Sequence, residues 1–136
     1  MYSNTGKNAY SAVSLDSEIA GATPHQLITL LYDGAINAMR RAEIYFRTGD
    51  IARRGEMISR AIAIIDSGLR AALDHEVGGE ISARLEMLYE YISRRLLHVN
   101  LNKSAEELPH LINLMSDMAD TWKSIDPQRR QVNHVP

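Results

Sequence analysis

Apolar residues recur at steps of three and four along most of the chain. One stretch carries Ile58, Ile62, Ile65, Leu69 and Leu73; a second carries Ile81, Leu85, Leu88, Ile92, Leu96 and Val99; a third carries Leu108, Leu111, Met115, Met118, Trp122 and Ile125. Such steps line one face of an α-helix, whereas a half-buried strand alternates at every second residue. The stretch before them is apolar on more than one face. Leu27, Leu30, Leu31, Ala35, Ala38, Ala42 and Tyr45 suit a core, and Ile28, Ile36, Met39 and Phe46 widen the arc. Four helices are predicted, and no strand.

Local signals place their ends. Thr23 and Gln26 spell a capping box, with Pro24 at the first helical position, where a missing N–H is harmless. The first helix runs to about Thr48, and Gly49 suits a left-handed stop. Asp50 caps the second helix, which is expected to reach about Asp74. Gly78-Gly79 breaks the chain before a third helix over roughly Glu80–Val99, ended by Asn100 and Asn102. The fourth lies near Ser104–Ile125, before Asp126-Pro127. Its start has two readings. Ser104 with Glu107 forms a capping box, or the main helix begins at Pro109 after a separate short turn, because proline inside a helix deletes a bond.

Long helices with short links pack as antiparallel neighbours. The expected fold is therefore all-α: an antiparallel up-down four-helix bundle over residues 23–126. A mobile N-terminal arm (1–22), with a short docked piece around Tyr10, precedes it, and a flexible tail (127–136) follows. Apolar positions exceed the roughly three per heptad that such a helix needs. Met87, Tyr91 and Leu97 on the third helix, and Ile112 and Leu114 on the fourth, belong to this surplus. It serves either a wide core or grooves for a partner. Gly34 and Gly68 sit mid-helix at similar heights, where close backbone approach or room for an aromatic ring would explain them.

Composition narrows the chemistry. The 136 residues contain no cysteine, which excludes disulfides, thiolate nucleophiles and cysteine-ligated metals. Fifteen Lys and Arg against 17 Asp and Glu give a net charge of −2, which argues against a nucleic-acid or anionic-membrane binder. No apolar run approaches the ~18–20 residues of a membrane span, and residues 1–22 lack the pattern of a secretory signal. Gly6-Lys7-Asn8 lacks the rest of a phosphate loop. His75-Glu76 is followed by Gly79 where a zinc protease needs its second histidine. Glu107 and His110 have di-iron spacing, but only one copy exists and Pro109 lies inside it. No nucleophile elbow is present. The arginine pairs Arg40-Arg41, Arg53-Arg54, Arg94-Arg95 and Arg129-Arg130 are diluted by Glu43, Glu56 and Glu90. A non-enzymatic protein without metal or cofactor is expected.

Five blocks then stand out: Ala9-Tyr10; Leu30-Leu31-Tyr32-Asp33-Gly34-Ala35; Ile64-Ile65-Asp66-Ser67-Gly68-Leu69 followed by Leu73-Asp74; Leu88-Tyr89-Glu90-Tyr91-Ile92-Ser93-Arg94-Arg95-Leu96 followed by Asn100; and Ala119-Asp120-Thr121-Trp122-Lys123. In this order and spacing, over about residues 9–125, the chain resembles the FliS family of flagellar secretion chaperones; Pro109 departs from the family pattern. The resemblance implies a cytosolic four-helix bundle that holds the disordered C-terminal segment of flagellin in apolar grooves. It also implies a block on premature polymerisation and transient contact with the flagellar export gate. The N-terminal arm is expected to lie over part of the groove.

Within that expectation, Tyr10 anchors the arm or caps the bundle permanently. Leu27, Leu31, Ile62, Ile65, Leu69, Leu85, Leu88, Tyr89 and Ile92 bracket the grooves, each with ordinary core as its alternative. Asp33, Arg94, Arg95 and Asn100 bond the client's backbone or form an internal network joining the first and third helices. Trp122 is assigned to the core. The competing function is a homo-oligomeric structural or adaptor bundle that turns its extra apolar face on itself; separately, the free chain is expected to form at most a weak homodimer.

Overall fold

Thr23 and Gln26 exchange the two bonds of the capping box, at 3.0 and 3.1 Å, and launch helix α1, Pro24–Thr48. The computed structural model describes residues 20–128. Residues 1–19 and 129–136 lie outside it, and with them Tyr10, Arg129, Arg130 and most of the expected arm and tail. Gly49 stops α1 in the left-handed conformation at φ 74°, which glycine adopts without a Cβ clash. The Asp50 carboxylate accepts from the Arg53 amide at 3.1 Å and caps α2, Ile51–Ala63.

From Ile64 to Arg70 the second helix widens into a π-helix. It closes in a turn at Ala71–Ala72, earlier than the expected end near Asp74. The Asp74 carboxylate instead accepts from the Glu76 and Val77 amides, both at 3.0 Å, and caps helix α3, His75–Asn102. The expected break at Gly78-Gly79 falls inside this span. Gly79 is non-helical (φ 50°, ψ −118°), a region open to glycine. A Cβ on Gly78 would collide with the Ser82 hydroxyl, which donates to the Asp74 carbonyl at 2.9 Å.

α3 runs past Asn100 and ends with Lys103 in the left-handed region at φ 53°. Asn100 is thus helical, not terminal. The two readings for the fourth helix resolve at Ala105–Glu107, a single 3₁₀ turn followed by helix α4, Leu108–Ser124. Pro109 falls in the first turn of α4, where no intrahelical donor is lost. The Ser104–Glu107 capping box does not form, because Glu107 is drawn to Arg95.

The helices form an antiparallel up-down bundle, and no strand occurs among the described residues. α1 packs between α2 and α4, and α3 packs on α2; the seam between α3 and α4 is the loosest of the four. Met39, Ala42, Ile58, Leu96, Val99, Leu108 and Leu111 are buried toward the end that holds Gly49 and Asp50. The widened apolar arc of α1 serves this core, since Ile36 and Met39 are both inside it. The mid-helix glycines have an aliphatic explanation rather than an aromatic one. A Cβ on Gly68 would lie 3.0 Å from Leu31 Cδ2, and one on Gly34 3.4 Å from Ile64 Cδ1. Each glycine therefore receives a large side chain from the facing helix.

Candidate functional site

The two ends of the bundle differ. Where α1 and α3 begin and α2 and α4 finish, the apolar faces diverge and leave three adjoining hollows. One, of 510 Å³, lies between the first turns of α1 and the close of α2, walled by Leu27, Ile28, Leu31, Ala72 and Trp122. A second, of 370 Å³, opens the α3–α4 seam between Ile81 and Leu85 on one side and Met118, Trp122 and Ile125 on the other. A third, of 80 Å³, shares Ile28 and Ala72 with the first, Tyr32 and Leu85 with the second, and Trp122 with both. Together they form one apolar trough across the end of the bundle.

Trp122 is the hinge of this surface. It packs against the core, as expected, but it also walls all three hollows. Its indole N–H donates to the His25 carbonyl at 3.0 Å, and its ring stacks on the His25 imidazole at 4.1 Å and 4°. α1 and α4 are thereby pinned where the trough begins. On the floor, the hydroxyls of Tyr32 and Tyr89 meet at 2.6 Å. Burial pushes both phenols above the ordinary tyrosine range, and for Tyr89 the bond to Tyr32 adds to the rise.

The predicted groove residues divide by depth. Leu27, Leu31 and Leu85 wall the trough, and Leu69 and Tyr89 reach it through the third hollow. Ile65 and Ile92 are fully buried, and Ile62 packs on the core from outside. Leu88, at 37 % exposure, faces solvent. On the expected buried stripe of α3, Ile81 is 70 % exposed, and Ile125, just past the end of α4, is likewise exposed. The stripe loses its cover there because the seam has opened.

The polar candidates lie elsewhere. Asp33 accepts from Lys123 Nζ at 2.9 Å, which joins α1 to α4. Arg94 is exposed beside Glu90 at 3.8 Å. Arg95 grips Glu107 with two bonds of 2.6 and 3.0 Å. That grip holds the Glu107 carboxyl below its usual range and raises the Arg95 guanidinium. Asn100 accepts from Arg54 Nε at 3.2 Å, and Arg54 lies 4.6 Å over the Phe46 ring. The contacts between elements join α1 to α4, α3 to the 3₁₀ turn before α4, and α2 to both α3 and α1; none joins the first helix to the third. The residues that do are Tyr32 and Tyr89.

Sequence reasoning missed Tyr32, Ile28, Met118 and Ala72 as trough residues. Tyr32 stood inside a family block, and its spacing of four from Ile28 was the available signal.

Fold and surface define a class: an antiparallel four-helix bundle with an apolar trough at one end. The model of the family described as "Flagellar protein FliS" matches residues 6–129. The chain is 46% identical over 128 residues to the flagellar secretion chaperone FliS of Salmonella typhimurium, covering 94% of this chain and 95% of that protein. It is 37% identical over 123 residues to FliS of Escherichia coli, covering 90% of each. It is 29% identical over 128 residues to FliS of Bacillus subtilis, covering 94% and 93%. This chain belongs to the FliS family of flagellar secretion chaperones.

Proposed function

We propose that this protein is a cytosolic chaperone whose trough holds the C-terminal segment of flagellin. In that role it prevents premature polymerisation and hands the client to the flagellar type III export gate. The observation that carries the reading is the continuous trough, walled by aliphatic side chains from all four helices. A disordered segment that orders on binding forfeits about 2–5 kcal/mol. At about 25 cal/mol per Å², the first ~80–200 Å² of buried apolar surface offsets that loss. Three adjoining apolar hollows offer a contiguous surface on that scale. Among the described residues no helix is long and apolar enough to cross a membrane, which accords with a cytosolic bundle. On the same reading, residues 1–22, with Tyr10 as anchor, serve as an N-terminal arm and 127–136 as a tail.

The test is titration with flagellin from the same organism, full-length and lacking its C-terminal segment, by calorimetry alongside a polymerisation assay. Binding that requires the segment, with a negative heat-capacity change and suppressed polymerisation, is expected. Absence of binding together with concentration-dependent self-association overturns the reading. It would favour a homo-oligomer that buries the exposed α3 residues Val77, Ile81, Met87, Leu97 and Leu101 on itself.

A further inference from the structure

A pair of phenols sits on the floor of the trough. Tyr32 of α1 and Tyr89 of α3 face each other across the diagonal of the bundle. Their hydroxyl oxygens are 2.6 Å apart, and their rings are 6.4 Å apart and tilted by 54°. Each phenol carries one proton to donate. The bond between them uses one and leaves the other, and no second partner for either hydroxyl occurs among the described residues. Both tyrosines line the small hollow that joins the two larger ones, and Tyr32 also floors the α3–α4 opening.

The surroundings select what that proton can meet. No lysine or arginine lines any of the three hollows, and Asp117 borders one of them. Beside the tyrosine pair a carboxylate would find no lysine, arginine or histidine and a like charge at the rim; the one imidazole, His25, lies at the first hollow, stacked on Trp122. A neutral acceptor meets neither obstacle. The last four carbonyls of any helix lack intrahelical donors, and such a carbonyl is costly to bury unless a donor awaits it.

Resting on the chaperone reading above, we propose that the Tyr32–Tyr89 pair is the polar anchor of the client site. Its free O–H donates to a main-chain carbonyl of the bound segment, while the apolar walls take the side chains. The anchor fixes the position of the client along the trough, which aliphatic walls alone leave free to slide.

The test uses the full chain and a peptide of the flagellin C-terminal segment, with Tyr32→Phe, Tyr89→Phe and the double variant. The oxygens are close enough for either hydroxyl to serve the same acceptor. Each single variant is therefore expected to bind within about 3-fold of the unaltered chain, and the double variant about 10-fold more weakly, a loss typical of one hydrogen bond. Thermal unfolding of each variant separates binding from folding. A simple strut between helices gives the opposite pattern, with the full loss of stability at the first substitution and no loss of affinity at the second; that result overturns the anchor. Should the double variant fail to fold, ¹³Cζ-tyrosine labelling of the unaltered chain supplies the answer. Peptide binding must move the Tyr32 and Tyr89 resonances, and unmoved resonances overturn the proposal. If the unaltered chain does not bind the peptide, the chaperone reading falls and the anchor with it. If it binds and the double variant binds equally tightly, the anchor alone falls.

Discussion

The end of the bundle that holds Gly49 and Asp50 and the end that holds Trp122 are built from the same kinds of residue at the same helical spacing. At the first, Met39, Ile58, Leu96, Val99 and Leu111 leave almost nothing to solvent. Arg54, buried there, is satisfied by Asn100 and by the face of Phe46. At the second, Leu31 and Leu85 are only partly covered and Ile81 is largely bare. The difference lies in how the helices meet. The tight end has an immediate turn between α1 and α2, with alanines 35, 38 and 42 letting α1 approach its neighbours. The open end has a π segment, a broken α3 and a loose α3–α4 seam. Stability and the candidate surface are thus separated along the bundle axis, so the trough can stay under-packed without unfolding the chain.

Substitutions at each end can break or sharpen that contrast. The largest effect is expected from Leu111→Ala at the tight end. Removing a fully buried leucine commonly costs about 2–5 kcal/mol, a loss that chemical denaturation will read as a lower midpoint. An unchanged midpoint would mean the tight end does not hold the fold. Next comes Gly68→Ala, at the border of the two regions. Helix propensity favours alanine by up to about 1 kcal/mol, but its Cβ would sit 3.0 Å from Leu31 Cδ2. Unfolding stability should change by less than about 1 kcal/mol, while affinity for the flagellin segment falls as Leu31 is pushed into the trough. Ile81→Ser, at the open end, should alter stability by no more than about 0.5 kcal/mol and still weaken the segment's binding in calorimetry. A stability loss as large as that of Leu111→Ala would erase the distinction between the ends.

The smallest effect belongs to Glu107→Gln. The folded carboxyl lies below its ordinary value because Arg95 bonds its ionised form. Its contribution is therefore complete at neutral pH and disappears as pH falls through that lowered value. The glutamine variant should unfold slightly more easily at pH 7, and the gap should close in acid. A gap that persists at low pH would assign the effect to packing instead.

Much of the fold was legible because its signals are local. The Thr23–Gln26 box, Gly49 and Asp50 each act within four residues, and the apolar stripes give the buried faces. What escaped depends on partners distant in sequence. Nothing in Ile64–Arg70 announces a π-helix, and the contacts this segment makes, Ile64 by Gly34 and Gly68 by Leu31, are with residues distant in sequence. Ile81 and Leu88 continue a regular stripe yet are exposed, Ile81 where the α3–α4 seam opens. The site was read in part: Leu27, Leu31 and Leu85 are on the trough, while Ile65 and Ile92, of the same type and period, are beneath it. Depth along a helix face is a tertiary property. The Tyr32–Tyr89 contact, spanning 57 positions across the bundle diagonal, has no local signature.

The π segment also bears on how this chain tolerates changes of length. A π turn takes more residues into each revolution than an α turn does. Deleting the exposed Ser67 can therefore be absorbed by tightening Ile64–Arg70 into ordinary helix, with Leu69 and Leu73 kept in phase. The same deletion within Ile51–Ala63 has no slack to draw on. It would rotate everything beyond it by about 100° and turn Ile65 and Leu69 out of the core. Residues 64–70 are thus the place in the second helical stretch where this chain can lose a residue and keep its bundle.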